Sequence, residues 1–275
     1  MRICALMRRW WASTSLSIPD LEKREVAFES QRPGNFIRHL RFDGEEALRQ
    51  TLNERCAVSL YYSVTKQVGN RIIRDLIIDV DVKGDDWKAS VELALEEIKL
   101  LYETVEREFG LKGIVNFSGL KGFHLRYNVN EDSPWAIMTK RGYERLAAYL
   151  SSLPTLQYNI RGRVVDICRL HPTGSCYRAA LQLQFRYVDT LVLTREEGLI
   201  RALRSINPKS GLAAVPLDTL DIDVDILIDR ASPIKEEYDV TLKEKVKIPW
   251  GREIGPGRVS VNYHELLYLL LHGFL

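Results

Sequence analysis

The chain has 275 residues, long enough to bury a substantial core as one large domain or as a domain with a small lobe. With 45% hydrophobic and 28% charged residues it has the composition of an ordinary soluble globular protein, and a formal net charge of +2 excludes a nucleic-acid binder that works by global charge. Any such surface must be local. Basic residues do cluster at Arg8, Arg9, Arg24, Arg32, Arg38 and Arg41, and again at Arg161, Arg163, Arg169 and Arg178, although a solvated basic face is the commoner meaning of such clusters. The absence of an 18-residue apolar run predicts no membrane span, and the apolar stretch around Trp10 and Trp11, broken by Arg8 and Arg9, is too short for a signal peptide. Cys4, Cys56, Cys168 and Cys176 form no C-x-x-C pair, which argues against a thiolate zinc site and a disulfide framework and for a reducing, intracellular setting.

In chain order, an N-terminal helix or arm precedes two short strands, residues 25–28 and 36–42, around the turn-prone Gln31-Arg32-Pro33-Gly34-Asn35. A helix is predicted over 44–53, a strand over 57–63 and another over 75–82. Asp85-Asp86 can cap a long helix whose apolar positions Val91, Ala94, Leu95, Ile98, Leu101, Val105 and Phe109 keep helical spacing until Gly110 closes it. Strands 113–118 and 123–129 form a hairpin across the Gly119–Gly122 loop. Beyond it the expectations are a helix over 136–152, a strand over 163–170, one or two strands within 180–193 and a helix near 195–205. A loop rich in Pro, Ser and Gly (207–216), a strand over 220–229 and a final segment 237–271, ending in a buried helix capped near Gly273, complete the chain. Strands and helices mix without strict alternation, so an α+β fold with mixed or antiparallel sheets and flanking helices fits best.

Chemistry concentrates in Leu76-Ile77-Ile78-Asp79-Val80-Asp81-Val82 and Ser118-Gly119-Leu120-Lys121-Gly122-Phe123-His124. Strand side chains alternate, so Asp79 and Asp81 leave the same face, roughly 7 Å apart. Unpaired carboxylates in a sheet are costly, and a divalent cation removes that cost. Two carboxylates holding Mg²⁺ or Mn²⁺ against a phosphate is what two-metal phosphoryl transfer needs. In the hairpin, Gly119 and Gly122 admit an anion close to backbone amides, while Ser118, Lys121 and His124 add donors. Asp166 offers a third acid, with Arg169, Ser175 and Arg178 near it in sequence as candidates for nucleotide phosphates or a template backbone. Unit charges 4 Å apart repel by about 4 kcal/mol at an effective dielectric near 20, so three converging acids need cations between them or a raised pKa. The similar Asp221, Asp223 and Asp225 alternate with apolar residues of the other parity and are read as a solvated strand face.

These motifs, in this order, resemble the catalytic small subunit of the archaeal and eukaryotic type of DNA primase, within the archaeo-eukaryotic primase superfamily. Arg24-Glu25 followed by Phe28, Ile37-Arg38-His39-Leu40-Arg41-Phe42 and Tyr61-Tyr62-Ser63 are similar to the family's early strands. Asp79 and Asp81 fall on its metal motif and Ser118 to His124 on its nucleotide motif. The stretch from Asp166 through Arg169 and Gly174-Ser175 is similar to the third motif. The resemblance implies a primase catalytic fold around an RRM-like sheet, within residues 1–275 as a single domain with 1–75 plus 166–275 and 76–165 as sub-lobes. It implies template-directed synthesis of short primers from nucleoside triphosphates on single-stranded DNA, a two-metal Mg²⁺ or Mn²⁺ site at Asp79, Asp81 and Asp166, and a large primase subunit as partner. Ser118, Lys121, His124, Arg169, Ser175 and Arg178 would bind the nucleotide, inside the cell at the nucleoid.

Three departures stand out. Lys83-Gly84-Asp85-Asp86 passes into helix where relatives often carry a zinc knuckle, so no structural zinc is predicted. The family's helical insertion is trimmed, and Ser175-Cys176-Tyr177-Arg178 lacks the histidine usual two residues after the serine. The rival expectations are a stand-alone primase-polymerase of the same superfamily and a non-catalytic primase-like subunit that binds nucleic acid or a partner.

Overall fold

The computed structural model of the chain describes residues 3–31, 35–152, 185–189, 192–193, 195 and 197–275. Helix α1 (Ile3–Ser13) is followed by strands β1 (Val26–Ser30) and β2 (Phe36–Leu40), helix α2 (Glu45–Glu54) and strands β3 (Ala57–Ser63), β4 (Thr65–Val68), β5 (Arg71–Arg74) and β6 (Leu76–Asp81). The long helix α3 (Trp87–Phe109) leads into β7 (Ile114–Phe117), β8 (Gly122–Tyr127) and helix α4 (Lys140–Ser152). After it come β9 (Leu199–Arg201), β10 (Val215–Pro216), α5 (Val224–Ala231), β11 (Glu237–Leu242), β12 (Val246–Lys247), β13 (Glu253–Ile254), β14 (Gly257–Asn262) and α6 (Tyr263–Leu271). The architecture is mixed α+β, as expected from the sequence.

Two four-stranded antiparallel sheets frame the structure, in the orders β2-β1-β3-β9 and β10-β7-β8-β6. In the second sheet the period of two sorts the side chains sharply. Val80, Phe123 and Phe117 lie in register on one face, where Phe117 meets Trp87 of α3 edge to face, so α3 covers this side. Asp79, His124 and Asn116 lie in register on the other face, and Asp81 joins them two residues on. Helix α3 starts where Asp86 accepts from the Ala89 N–H at 3.0 Å, buries Val91, Ala94, Ile98, Leu101 and Val105, and stops at Gly110 in the left-handed region. The N-terminal helix is anchored by two buried tryptophans, whose indole N–H groups donate to the carbonyls of Arg204 (Trp10) and Ala57 (Trp11). Asn262 and Glu265 form a reciprocal capping box for α6, and Gly273 follows its end with φ 74°.

Three expectations need correction, and one hairpin stands where none is expected. Residues 220–229 are not a strand. Asp223 accepts from the Asp225 N–H at 2.7 Å and starts α5, because Val224, Leu227 and Ala231 fit a buried helical stripe, while Ile226, inward on a strand reading, is exposed. The helix expected near 195–205 is absent over the described residues 197–205, where Leu199–Arg201 pairs with β3 at the sheet edge. Cys4 and Cys56 form a disulfide, their Cα atoms 4.9 Å apart, because α1 lies against the start of β3. Spacing along the chain does not report that proximity, and the bond removes the cysteine pattern as support for a reducing compartment. A hairpin, β4–β5 around Gly69-Asn70, went unrecognised although a two-residue Gly-Asn turn is a hairpin signal. The strands expected at 163–170 and across most of 180–193 lie outside the described residues.

Candidate active site

A cavity of about 580 Å³ opens beside the polar face of β6 and β8, and its walls include Asp79, Asp81, Ser118, His124, Arg201, Asn207 and Lys209. Asp79 stands directly across from His124 in the strand register, and Asp81 directly across from Gly122. A side chain at Gly122 would meet the Val80 carbonyl at 2.4 Å, so only glycine lets the hairpin close on β6. Gly119 holds φ 88°, and a Cβ there would meet the Leu212 carbonyl at 2.8 Å, which ties the tip of the hairpin to the 207–212 loop. Ser118 closes the turn, its backbone N–H donating to the Gly122 carbonyl and its hydroxyl accepting from the Gly122 N–H.

His124 is oriented by its neighbours. Its Nδ1 accepts from Arg126 Nη2 at 3.0 Å and Asn116 Nδ2 at 3.2 Å, so the ring hydrogen sits on Nε2, which points toward Asp79 Oδ1 at 3.6 Å. Burial, with the charges of Arg126 and Arg201, holds the imidazole well below its ordinary pKa and therefore neutral. Arg126 bridges the two sheets, donating to the Tyr62 hydroxyl and the Arg201 carbonyl. Arg201 in turn donates to Ser59 and to the Ile206 carbonyl and lies over the Tyr61 ring at 4.7 Å.

The acids repel one another. Burial, then the nearby Asp81 and Asp189 carboxylates, push Asp79 up to about 7 against the pull of Arg126 and Arg201. Asp81 is also raised, chiefly by burial, with Lys83, Lys121 and Lys209 opposing. Asp189 reaches this position because residues 185–189 lie along the free edge of β6. The Asp189 N–H donates to the Asp79 carbonyl at 2.7 Å, the Asp81 N–H donates to the Tyr187 carbonyl at 2.9 Å, and Val80 and Val188 form a bridge. Glu97 of α3 fixes that segment by accepting the Tyr187 N–H at 2.7 Å. Among the described residues no three His, Cys, Asp or Glu side chains already form a metal cage. Even so, oxygen donors whose ionisation is opposed by burial and by each other suit a hard divalent cation.

The structure thus brings together Asp79, Asp81, Ser118 and His124 as the sequence suggested. Lys121 is turned away from the cavity wall, its ammonium donating to the Gly84 carbonyl, and acts on Asp81 through its charge. Asp166, Arg169, Ser175 and Arg178 lie outside the described residues. Asp189, Arg201, Asn207 and Lys209 were missed. A signal exists in Tyr187-Val188-Asp189, a short apolar stretch ending in an acid, and in Ser205-Ile206-Asn207-Pro208-Lys209, most of which reads as a connecting loop.

A strand pair of carboxylates facing a glycine hairpin that can cradle phosphate is an arrangement suited to metal-assisted nucleotidyl transfer. No protein-family model matches the chain. It is similar to the DNA primase small subunit PriS of Pyrobaculum calidifontis, 28% identical over 78% of this chain and 78% of that protein, and to that of Pyrobaculum islandicum, 29% identical over 80% and 79%. PriS of Sulfurisphaera tokodaii is 26% identical over 77% and 76%. The chain resembles the archaeal and eukaryotic type of DNA primase catalytic small subunit over about four fifths of its length. Among solved structures, the polymerase domain of Mycobacterium tuberculosis ligase D in complex with DNA aligns with TM-score 0.43 at 17% identity, over 79% of this chain and 73% of that one.

Proposed function

We propose that the chain is the catalytic subunit of a DNA primase, joining nucleoside triphosphates into short primers on a single-stranded DNA template. The observation that carries this is the register of β6 and β8, which sets Asp79 and Asp81 against His124 and the Ser118–Gly122 turn at one cavity. Asp79, Asp81 and Asp189 are the side chains that would hold Mg²⁺ or Mn²⁺. Such ions neutralise triphosphate charge and lower the pKa of an attacking hydroxyl. Around them, His124 presents an Nε2–H to a phosphate oxygen, and the Ser118 hydroxyl and the backbone of the turn add further donors. Arg201 and Lys209 supply positive charge at the cavity wall, where developing negative charge is best stabilised by groups already in place.

Asp189 takes the third acidic role in this proposal, its charge acting on both Asp79 and Asp81. The reading extends to one catalytic domain over 1–275, to a large primase subunit as partner and to an intracellular, nucleoid-associated location. Among the described residues no helix is long and apolar enough to cross a membrane.

Dinucleotide formation on single-stranded template tests the proposal. Asp79→Ala is expected to abolish product, and an unchanged yield would overturn the assignment. Asp189→Asn and Asp166→Asn, compared side by side, assign the third acid. Parallel reactions with ribonucleotides and deoxyribonucleotides establish the preferred sugar.

A further inference from the structure

A second cleft, of about 750 Å³, lies at the other end of the same sheet that walls the catalytic cavity. Side-chain alternation links the two. Glu29 of β1 and Tyr61 of β3 line the catalytic cavity, whereas Glu25 and Ser63 line the second cleft. Each pair is of one parity, and Ala27, the small residue between Glu25 and Glu29, is buried on the same side. Glu25, just before β1, is four residue steps from Glu29, about 13 Å along an extended chain. Phe36 stands opposite Glu29 on β2, is exposed, and meets the Tyr61 ring edge to face with centroids 5.2 Å apart. The face joining the clefts therefore carries two aromatic rings, one of them under the guanidinium of Arg201.

The second cleft is cationic. Lys23, Arg41, Lys66, Arg71, Arg74 and Lys140 line it against two carboxylates, Glu25 and Glu197. Several of these charges are already engaged. Lys23 pairs with Glu131, Lys66 with Asp20, and Glu25 with Arg38 and His39, while Arg74 donates to the carbonyls of Val192 and Arg195. Arg41, Arg71 and Lys140 are exposed and have no ion-pair partner among the described residues. Ile72 and Ile137, the two most exposed large apolar side chains among the described residues, border the same cleft.

Three uncompensated cations at one end of an aromatic-bearing sheet face match a polyanion with stackable bases. We infer that a single nucleic-acid strand leaves the catalytic cavity across the β2-β1-β3-β9 face, with a base against Phe36 and Tyr61. Its phosphates are held by Arg41, Arg71 and Lys140. At about 3.4 Å per stacked nucleotide, the path from cavity to cleft spans roughly four nucleotides. The inference rests on the catalytic reading for the direction of the strand, but the cleft is testable without turnover.

The test is fluorescence anisotropy of the full chain with labelled oligothymidylates of roughly three and roughly 12 nucleotides, lengths on either side of that span. The combined variant Arg41→Gln, Arg71→Gln, Lys140→Gln is expected to weaken binding of the longer strand. Its plot of log affinity against log salt should become shallower by about 2, at roughly 0.7 per lost phosphate contact on a single strand. Binding of the short strand should stay unchanged. Phe36→Ala is expected to weaken the longer strand by roughly five-fold or more, the lower end of a lost base stack. Unchanged affinity and salt slope for the longer strand would overturn the inference even if the protein polymerises normally. The same result joined to lost association with a protein partner would make the cleft a protein-docking site and equally overturn it. Loss of long-strand binding in a protein that makes no dinucleotide would uphold the cleft and sink the catalytic reading instead.

Discussion

Residue by residue, the site is built on groups whose partners fix their chemical state. His124 has an Nε2–H to donate because Arg126 and Asn116 occupy its Nδ1, and in the proposed function that hydrogen goes to a phosphate oxygen. A hydrogen bond to a charged group contributes about 1.5–3 kcal/mol. His124→Ala is therefore expected to raise KM for the nucleotide by roughly ten-fold or more, with His124→Gln, whose amide can still donate, falling between it and the native residue. Steady-state kinetics on a fixed template checks the order. Arg24 shows a different use of charge. It is fully buried and donates to Asp75 at 2.5 Å and to the carbonyls of Pro19 and Ser63, while Asp75 accepts the Val129 N–H. Removing one partner of such a pair strands the other, so Arg24→Ala should destabilise the fold by about 3–5 kcal/mol in urea unfolding. The sequence places Arg24 inside a family-like motif, yet nothing in a run of charged residues tells which of them will be buried.

At the level of elements, the parts that were legible are those whose period is strong and whose ends carry their own punctuation. β3, β6, the β7–β8 hairpin and α3 emerge at or within two residues of their expected bounds, because alternation, the Asp86 cap and Gly110 are local signals. β9 was not legible as a strand, since it is short and takes its conformation from the β3 edge it completes, whereas the bridge at Val188 on the β6 edge falls within 180–193, where strands are expected. The stretch 220–229 deceived because acid–apolar alternation and a capped amphipathic helix can share one sequence. Element packing also makes predictions. Glu97 holds the 185–189 segment from α3, and burial pushes its carboxyl up to about 7 even though backbone N–H groups at 186–188 favour the charged form. Glu97→Ala is expected to loosen that segment and reduce turnover while leaving the melting temperature close to native. A matching loss of both would assign Glu97 to general stability alone. The Cys4–Cys56 bond closes a loop with sequence separation 52 and pins α1 to β3. Chain-entropy reasoning gives it about 4 kcal/mol, so a reductant should lower the unfolding midpoint, and Cys56→Ser should lower it without further response to the reductant.

Across the whole molecule, the two halves of the site are far apart in sequence and meet only through tertiary packing. Asp79, Asp81, Ser118 and His124 come from residues 76–127, which carry recognisable local patterns. Arg201, Asn207 and Lys209 come from a region whose role depends on packing against β3 and the hairpin tip. Global stability has its own titrating group. His264 is buried under Trp10, its Nδ1 hydrogen-bonded to the Gly211 carbonyl and its Nε2 without a partner among the described residues. Burial lowers its pKa to about 4. The folded state therefore binds fewer protons than the unfolded chain between about 6.5 and 4, so the fold loses stability as pH falls through that window and is unaffected above it. The shift corresponds to about 3 kcal/mol, and His264→Leu should remove that part of the pH dependence of unfolding.

In the proposed function the carboxylates of Asp79 and Asp81 bind divalent cations beside the nucleotide pocket. Titrating the native protein with Mn²⁺ while following free ion by electron paramagnetic resonance measures this without turnover. Native protein should take up the ion, and Asp79→Asn and Asp81→Asn should each bind it at least ten-fold more weakly, since a hard cation loses a charged oxygen ligand. Native-like Mn²⁺ uptake by both variants would rule out a metal site at these carboxylates.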